Sequence, residues 1–239
     1  MIVKPIKLGN FKVDAQKNFQ FLTQEPTTSI KMGIQPFVVL SKNDVILVDA
    51  GISCCESMNQ LLLLELENQG VYPEQFTKIV LSHMHKDHIE GLAYELNGEW
   101  IQNFPDAMIY LQKREFEYAL SQSESYSYNQ SLLNAMKNWE NIVWLTADRG
   151  QISEEITYLV TGGHSPFHQV FWFKESDEVY FYGGDNLPTL GYLKTHIAYK
   201  TDYDGKKARE WRKEWEQLIS KENWKVMFYH DLKESIYSK

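Results

Sequence analysis

Leu81-Ser82-His83-Met84-His85-Lys86-Asp87-His88 places four potential metal ligands within six positions, directly after a β-type run at residues 78–81. His83 and His85, two apart, can point the same way in an extended loop, whereas Asp87 and His88 fall where a helix would begin. One turn can therefore serve two ions. The plainer alternative is a loop of exposed histidines with Asp87 as an ordinary helix cap. Three of the chain's seven histidines crowd into these six positions, however, and a metal cage is the physical need that such crowding meets.

Working outward from this run, Phe37–Leu40 and Val45–Val48 are apolar β-type stretches separated by Ser41, Lys42, Asn43 and Asp44, which is turn chemistry for a hairpin. Residues 56–69 carry leucines dense enough for a buried helix, with Gly70 as its stop. Downstream, residues 105–111 read as strand and 112–120 as helix. Residues 121–130 read as a polar excursion and 132–139 as a second helical stretch. Four short strands follow at Ile142–Leu145, Ile156–Val160, 169–173 and 179–182. An amphipathic helix is expected at 204–219, with Trp211, Trp215, Leu218 and Ile219 on one face, and a last strand at 225–229. Strands and helices alternate without a fixed-period repeat, linker or composition break, so residues 1–239 are expected to form one α/β domain.

Three further motifs end predicted strands. Gly162-Gly163-His164-Ser165-Pro166 offers a tight turn that can bring His164 close to a site. Gly183-Gly184-Asp185 does the same for a carboxylate, and Tyr229-His230-Asp231 closes the last strand. Taken singly, these would be a structural histidine, a loop cap and a near-terminal surface histidine.

At this point the chain resembles the metallo-β-lactamase superfamily over most of its length, from Asp49 to His230. The motifs stand in that family's order: Asp49-Ala50-Gly51 after the hairpin, the His-x-His-x-Asp-His run, a Gly-His, a Gly-Asp and a final His. The resemblance implies a four-layer αββα sandwich with two metal ions at one edge. It puts His83, His85 and His164 on one ion, Asp87, His88 and His230 on the other, and Asp185 between them. Asp49 resembles the aspartate that orients the loop from behind the ligands, with a turn-forming role as the alternative. Imidazole and carboxylate without thiolate suit two zinc ions, and manganese or iron accept the same ligand types.

Such a pair implies a hydrolase whose nucleophile is a hydroxide shared between the metals, with Asp87 and Asp185 as candidate proton relays. A final histidine combined with a bridging aspartate is similar to glyoxalase II, lactonases and related esterases. The pattern is less like the antibiotic-degrading members, and His85 stands where the two-iron redox members carry glutamate. The expected substrate is therefore a small lactone or other carboxylic ester. Two departures narrow it. Pro188 occupies the position where lactonases acting on acyl-homoserine rings usually carry tyrosine, and nine residues after His230 do not supply glyoxalase II's C-terminal helical domain. Phe167 replaces a glycine common among relatives and is a candidate pocket aromatic, with core packing as the alternative. Tyr192 and His196 are candidates to line the substrate cleft, and His168 is left out of the ligand set.

Composition sets the remaining bounds. A net charge of −8 and a pI of about 5.4 provide no cationic surface for nucleic acid or an anionic membrane. The two cysteines, Cys54 and Cys55, are adjacent and form neither a disulfide framework nor a paired thiolate site. With no secretory pattern at the N-terminus and no apolar run long enough to span a bilayer, the expected location is cytoplasmic. The expected partner is a small molecule, and assembly into a homo-oligomer stays open. Two alternatives stand beside the esterase reading: a phosphodiesterase or organophosphate hydrolase using the same site, and a non-catalytic metal-binding sensor.

Overall fold

Short runs rich in β-branched and aromatic residues become the strands of two sheets packed face to face. The computed structural model describes residues 1–22, 31–53 and 60–239. In chain order the described strands are β1 (Ile2–Pro5), β2 (Gly9–Val13), β3 (Phe19–Phe21), β4 (Lys31–Ile34), β5 (Phe37–Leu40), β6 (Val45–Val48), β7 (Lys78–Val80), β8 (Ala93–Leu96), β9 (Glu99–Gln102), β10 (Met108–Gln112), β11 (Ile142–Leu145), β12 (Arg149–Gln151), β13 (Ile156–Val160), β14 (Gln169–Glu175), β15 (Glu178–Tyr182), β16 (Lys225–Met227) and β17 (Ile236–Tyr237). The α-helices are α1 (Leu61–Asn68), α2 (Lys86–Ile89), α3 (Lys113–Ser121), α4 (Gln130–Met136), α5 (Leu190–Thr195) and α6 (Gly205–Glu222).

One sheet has the order β1-β5-β6-β7-β10-β11 and the other β12-β13-β14-β15-β16-β17. Period-two alternation decides which layer each side chain joins. On β14, Phe171 and Phe173 belong to the core shared with the first sheet, whereas Val170 belongs to the core under α6. On β15, Tyr180 and Tyr182 take the first role and Phe181 the second. Phe37 of the first sheet meets Tyr182 of the second edge to face, with ring centroids 6.1 Å apart. Outside, α1, α3 and α4 bury Leu62, Leu66, Phe116, Leu132 and Leu133 with the first core, and α6 buries Trp215 and Ile219 with the second. The result is the expected αββα sandwich. Each fully buried Leu or Ile contributes roughly 1.5–3 kcal/mol of transfer free energy, enough in sum to fix which helix covers which sheet.

Strand direction brings the motifs to one edge. β6, β7 and β10 run parallel, as do β15 and β16, while β13 and β15 both run antiparallel to β14. The segments carrying Asp49, the histidine run, His164, Asp185 and His230 therefore all leave carboxyl ends of strands, where loops of open α/β sheets gather around ligands.

Several elements differ from the sequence reading. The helix expected at 56–69 is seen as α1 from Leu61, and its first residues, with Cys54 and Cys55, lie outside the described residues. The strand expected from 105 begins at Met108, because Pro105 has no N–H for the ladder. The N-terminal strands β1 to β4 and the β8–β9 hairpin carry no clean apolar alternation and were not expected. β2, β3 and β4 form a separate sheet of order β3-β2-β4, whose position over the strand ends bears on the site. No described helix is long and apolar enough to cross a membrane.

Candidate metal centre

The histidine run leaves β7 and turns into α2, with His85 at the N-cap position in extended conformation. Two groups of side chains converge here: His83, His85, His164 and Asp185, and Asp87, His88 and His230. Within each group the potential ligand atoms lie within 4.8 Å of one another. Asp185 joins the groups. Its Oδ2 is 3.3 Å from His164 Nε2, and its Oδ1 is 3.2 Å from His88 Nε2 and 3.1 Å from His230 Nε2. Asp87 Oδ2 stands 3.6 Å from His230 Nε2 and 3.8 Å from His88 Nε2.

Four of the five histidines have Nδ1 committed away from the centre. His83 Nδ1 is 3.0 Å from Ser82 Oγ, and His88 Nδ1 is 2.6 Å from Asp49 Oδ2. His164 Nδ1 is 2.8 Å from Asp202 Oδ1, and His230 Nδ1 donates to the Gly33 carbonyl at 2.7 Å. Such contacts set ring orientation and, for a donating Nδ1, leave the Nε2 lone pair facing inward. His83 Nε2, His88 Nε2, His230 Nε2 and Asp185 Oδ1 are buried and find no hydrogen-bond partner of good geometry among the described residues. His85 Nδ1 and His164 Nε2 face each other at 3.0 Å. Buried acceptors aimed at one point fit a cation, since leaving them unpaired costs about 1–3 kcal/mol each.

Charge agrees with geometry. Burial, reinforced by neighbouring histidines, pulls the pKa of His83 and His85 well below the usual imidazole value and keeps them in the neutral, ligating form. Burial pulls His88 down as well, but the charges of Asp185, Asp87 and Asp49 outweigh it and raise His88 well above that value. His230 is raised in the same way by Asp185 and Asp87. Burial pushes the Asp185 carboxyl up, and the combined pull of His230, His88 and His164 reverses this and holds it well below the carboxylate range. The acidic cluster thus favours positive charge at this spot, a demand that a divalent ion would meet.

Asp49 is fully buried and sits behind the centre. Its carboxylate accepts from Ser82 N and Ser82 Oγ at 2.7 Å each, from the Tyr182 hydroxyl, and pairs with His88 Nδ1. Asp49→Asn puts an amide N–H₂ among donors. It is expected to weaken metal binding roughly 10–100-fold in competition with a chromogenic chelator; wild-type affinity in that titration would contradict the orienting role.

Two glycines are required by close approach. Gly163 has φ +98, and a Cβ there would fall 2.7 Å from Asn186 Oδ1, the atom that accepts from His164 N at 2.8 Å. Gly184 has φ +49, and its Cβ would meet His168 Nε2 at 2.7 Å. That nitrogen accepts from Asp185 N at 3.2 Å. His168, buried and held neutral by burial, therefore supports the backbone of Asp185 and stands outside both ligand groups.

Residues beyond the sequence reading complete the support. Asp202 and Asn186 hold His164, and Glu115 accepts from Phe167 N at 2.9 Å. Arg212, fully buried on α6, donates from Nε to the Asn186 carbonyl and stands 3.7 Å from Asp202. Only Asn186 had a nearby signal, being next to Asp185; Asp202 lies 38 residues from the histidine it contacts.

A cavity of about 420 Å³ opens over the centre. It is lined by His85, Asp87, His164, Asp185 and His230, with Tyr192 and Tyr199 on one wall and Val13, Phe19 and Met32 of the N-terminal sheet on another. Tyr192 is where the cleft was expected. Phe167 and His196 are not on its lining: Phe167 packs 4.8 Å from the Arg114 guanidinium, and His196 ends α5 and pairs with Glu216 at 2.9 Å. Burial, with Asp202 and Tyr199 nearby, pushes the Tyr192 phenol up to about 12, so it is a protonated donor near neutral pH.

The metallo-beta-lactamase superfamily profile matches residues 33–230, and the chain belongs to that superfamily. Among solved structures it is similar to a probable metal-dependent hydrolase from Staphylococcus aureus (TM-score 0.79, 17% identity, 99% of this chain and 91% of that one). It is also similar to AidC, a dizinc quorum-quenching lactonase solved with a homoserine product (TM-score 0.72, 21% identity, 87% and 76%). A third similar structure is the hydrolase AbOPH of the beta lactamase superfamily (TM-score 0.76, 21% identity, 99% and 89%). Among curated proteins no sequence matches.

Proposed function

We propose that the chain is a binuclear, zinc-dependent hydrolase that cleaves a small acyl substrate, a lactone or another carboxylic ester. The observation that carries this reading is the position of Asp185, whose two oxygens face the two ligand groups separately. His83, His85 and His164 would hold one ion, Asp87, His88 and His230 the other, and Asp185 both. Two ions so held would supply Lewis acidity and lower the pKa of a water toward neutrality.

The chain's own groups do the rest. Asp87 and Asp185 both line the cavity; because both Asp185 oxygens are turned to the ligand groups, Asp87 is the better placed of the two to take the proton released by the attacking water and return it to the leaving oxygen. The Tyr192 phenol can donate a hydrogen bond to substrate from the cavity wall. Its presence there bears on the lactone expectation, because a tyrosine reaches the cavity from α5 although position 188 is proline. Apolar surface from Val13, Phe19 and Met32 favours an acyl chain and excludes water from the reacting face.

A phosphodiester reading uses the same centre; the net charge of −8 disfavours nucleic-acid polyanions, and the apolar wall of Val13, Phe19 and Met32 favours an acyl chain over a small phosphodiester. The deciding measurement is the ratio of kcat/KM for an aryl ester or γ-lactone to that for bis-p-nitrophenyl phosphate on one metal-loaded batch. We expect a ratio well above one; a ratio below one would favour the phosphodiesterase.

A further inference from the structure

The charged side chains of the cavity over the centre are three lysines and four aspartates; Asp87 and Asp185 belong to the candidate metal centre and Asp202 is held by His164 and Arg212, so those three carboxylates are engaged there. Lys17, Lys31 and Lys86 all line it, together with the apolar side chains of Val13, Phe19 and Met32. Asp14 also lines it, but its carboxylate is occupied within its own turn, accepting from Asn18 N at 2.8 Å and Asn18 Nδ2 at 2.9 Å. That turn presents Lys17, whose φ of 58 lies in the left-handed region, where glycine or asparagine would be easier for the backbone. Lys86 opens α2 between His85 and Asp87, and its ammonium lies 5.8 Å from the Phe19 ring centroid, which directs it toward the N-terminal sheet. Among the described residues neither Lys17 nor Lys86 forms an ion pair. Their charges therefore face the cavity from two elements far apart in sequence.

We propose that the substrate's acyl portion ends in a compact oxyanion, a carboxylate or a phosphate, held by Lys17 and Lys86 while the bond to be cleaved lies at the metal centre. This rests on the hydrolase reading above and names its substrate class. The apolar strip of Val13, Phe19 and Met32 accommodates the methylene chain between the two ends. The pull of the two ammonium groups on such an anion is local and weakens as salt shortens the screening length to about 8–10 Å.

The test compares inert competitors of equal chain length on zinc-loaded protein: valerate, glutarate and 4-phosphonobutyrate, by calorimetry and as inhibitors. Solvent-facing ion pairs are worth roughly two- to fivefold each, so at low salt at least one dianion should bind about tenfold more tightly than valerate. Which dianion wins distinguishes carboxylate from phosphate. In the Lys17→Gln/Lys86→Gln double variant this preference should fall below about threefold, with an unchanged melting temperature showing that the fold is intact. Equal binding of all three acids, or a preference untouched by the double substitution, would overturn the proposal. Failure of the hydrolase reading looks different: no ester or lactone turns over while the binding preference persists.

Discussion

Replacing Asp185 with asparagine is expected to lower kcat/KM by at least ~10³-fold, about 4 kcal/mol of transition-state stabilisation, and to reduce metal content. The carboxylate presents one oxygen to His164 and the other to His88 and His230. An amide keeps one acceptor, turns the other end into a donor and removes the negative charge that both ligand groups share. The backbone should hold its place, because Asp185 N is bonded to His168 Nε2 and Leu187 N to the Gly184 carbonyl. Circular dichroism should therefore be unchanged. Activity within tenfold of wild type with two ions still bound would contradict the bridging role.

Removing the metal should also cost stability. Ligands that converge only in the folded chain make metal binding part of folding free energy. At a free ion concentration 1,000 times the dissociation constant, one site contributes about 4.1 kcal/mol. For a domain of this size each kcal/mol moves Tm by roughly 2–4 °C. A strong chelator is thus expected to lower Tm by on the order of 10 °C, and excess zinc to restore it. A melting curve indifferent to both would mean that the centre holds no ion.

How much of this was legible in the sequence depended on the range over which each signal acts. The histidine run could be read because its candidate ligands lie within six positions, and the strands Phe37–Leu40 and Val45–Val48 because both are continuous apolar runs. The Gly-His and Gly-Asp motifs announced themselves through glycines, and Gly163 and Gly184 do sit at positive φ against neighbouring side chains. The N-terminal sheet was invisible because β2, Gly9–Val13, alternates weakly and buries only Phe11, yet this sheet supplies the Gly33 carbonyl to His230 and one wall of the cavity. Asp202 was equally invisible, since nothing local marks an aspartate whose partner arrives from another strand end. The place of Phe167 in the motif leaves pocket and core packing both open; its ring lies against the Arg114 guanidinium of α3 and is not on the cavity lining. His196 was offered from its segment, but the left-handed end of α5 turns it toward Glu216.

The most direct test of the central claim is the metal content of purified protein, measured by elemental analysis before and after incubation with zinc or manganese and desalting. Two ligand groups joined by Asp185 predict close to two transition-metal ions per chain, falling toward one when His83 or His230 is replaced by alanine. Protein that retains no ion after either incubation would contradict the binuclear centre and, with it, the hydrolase built on it.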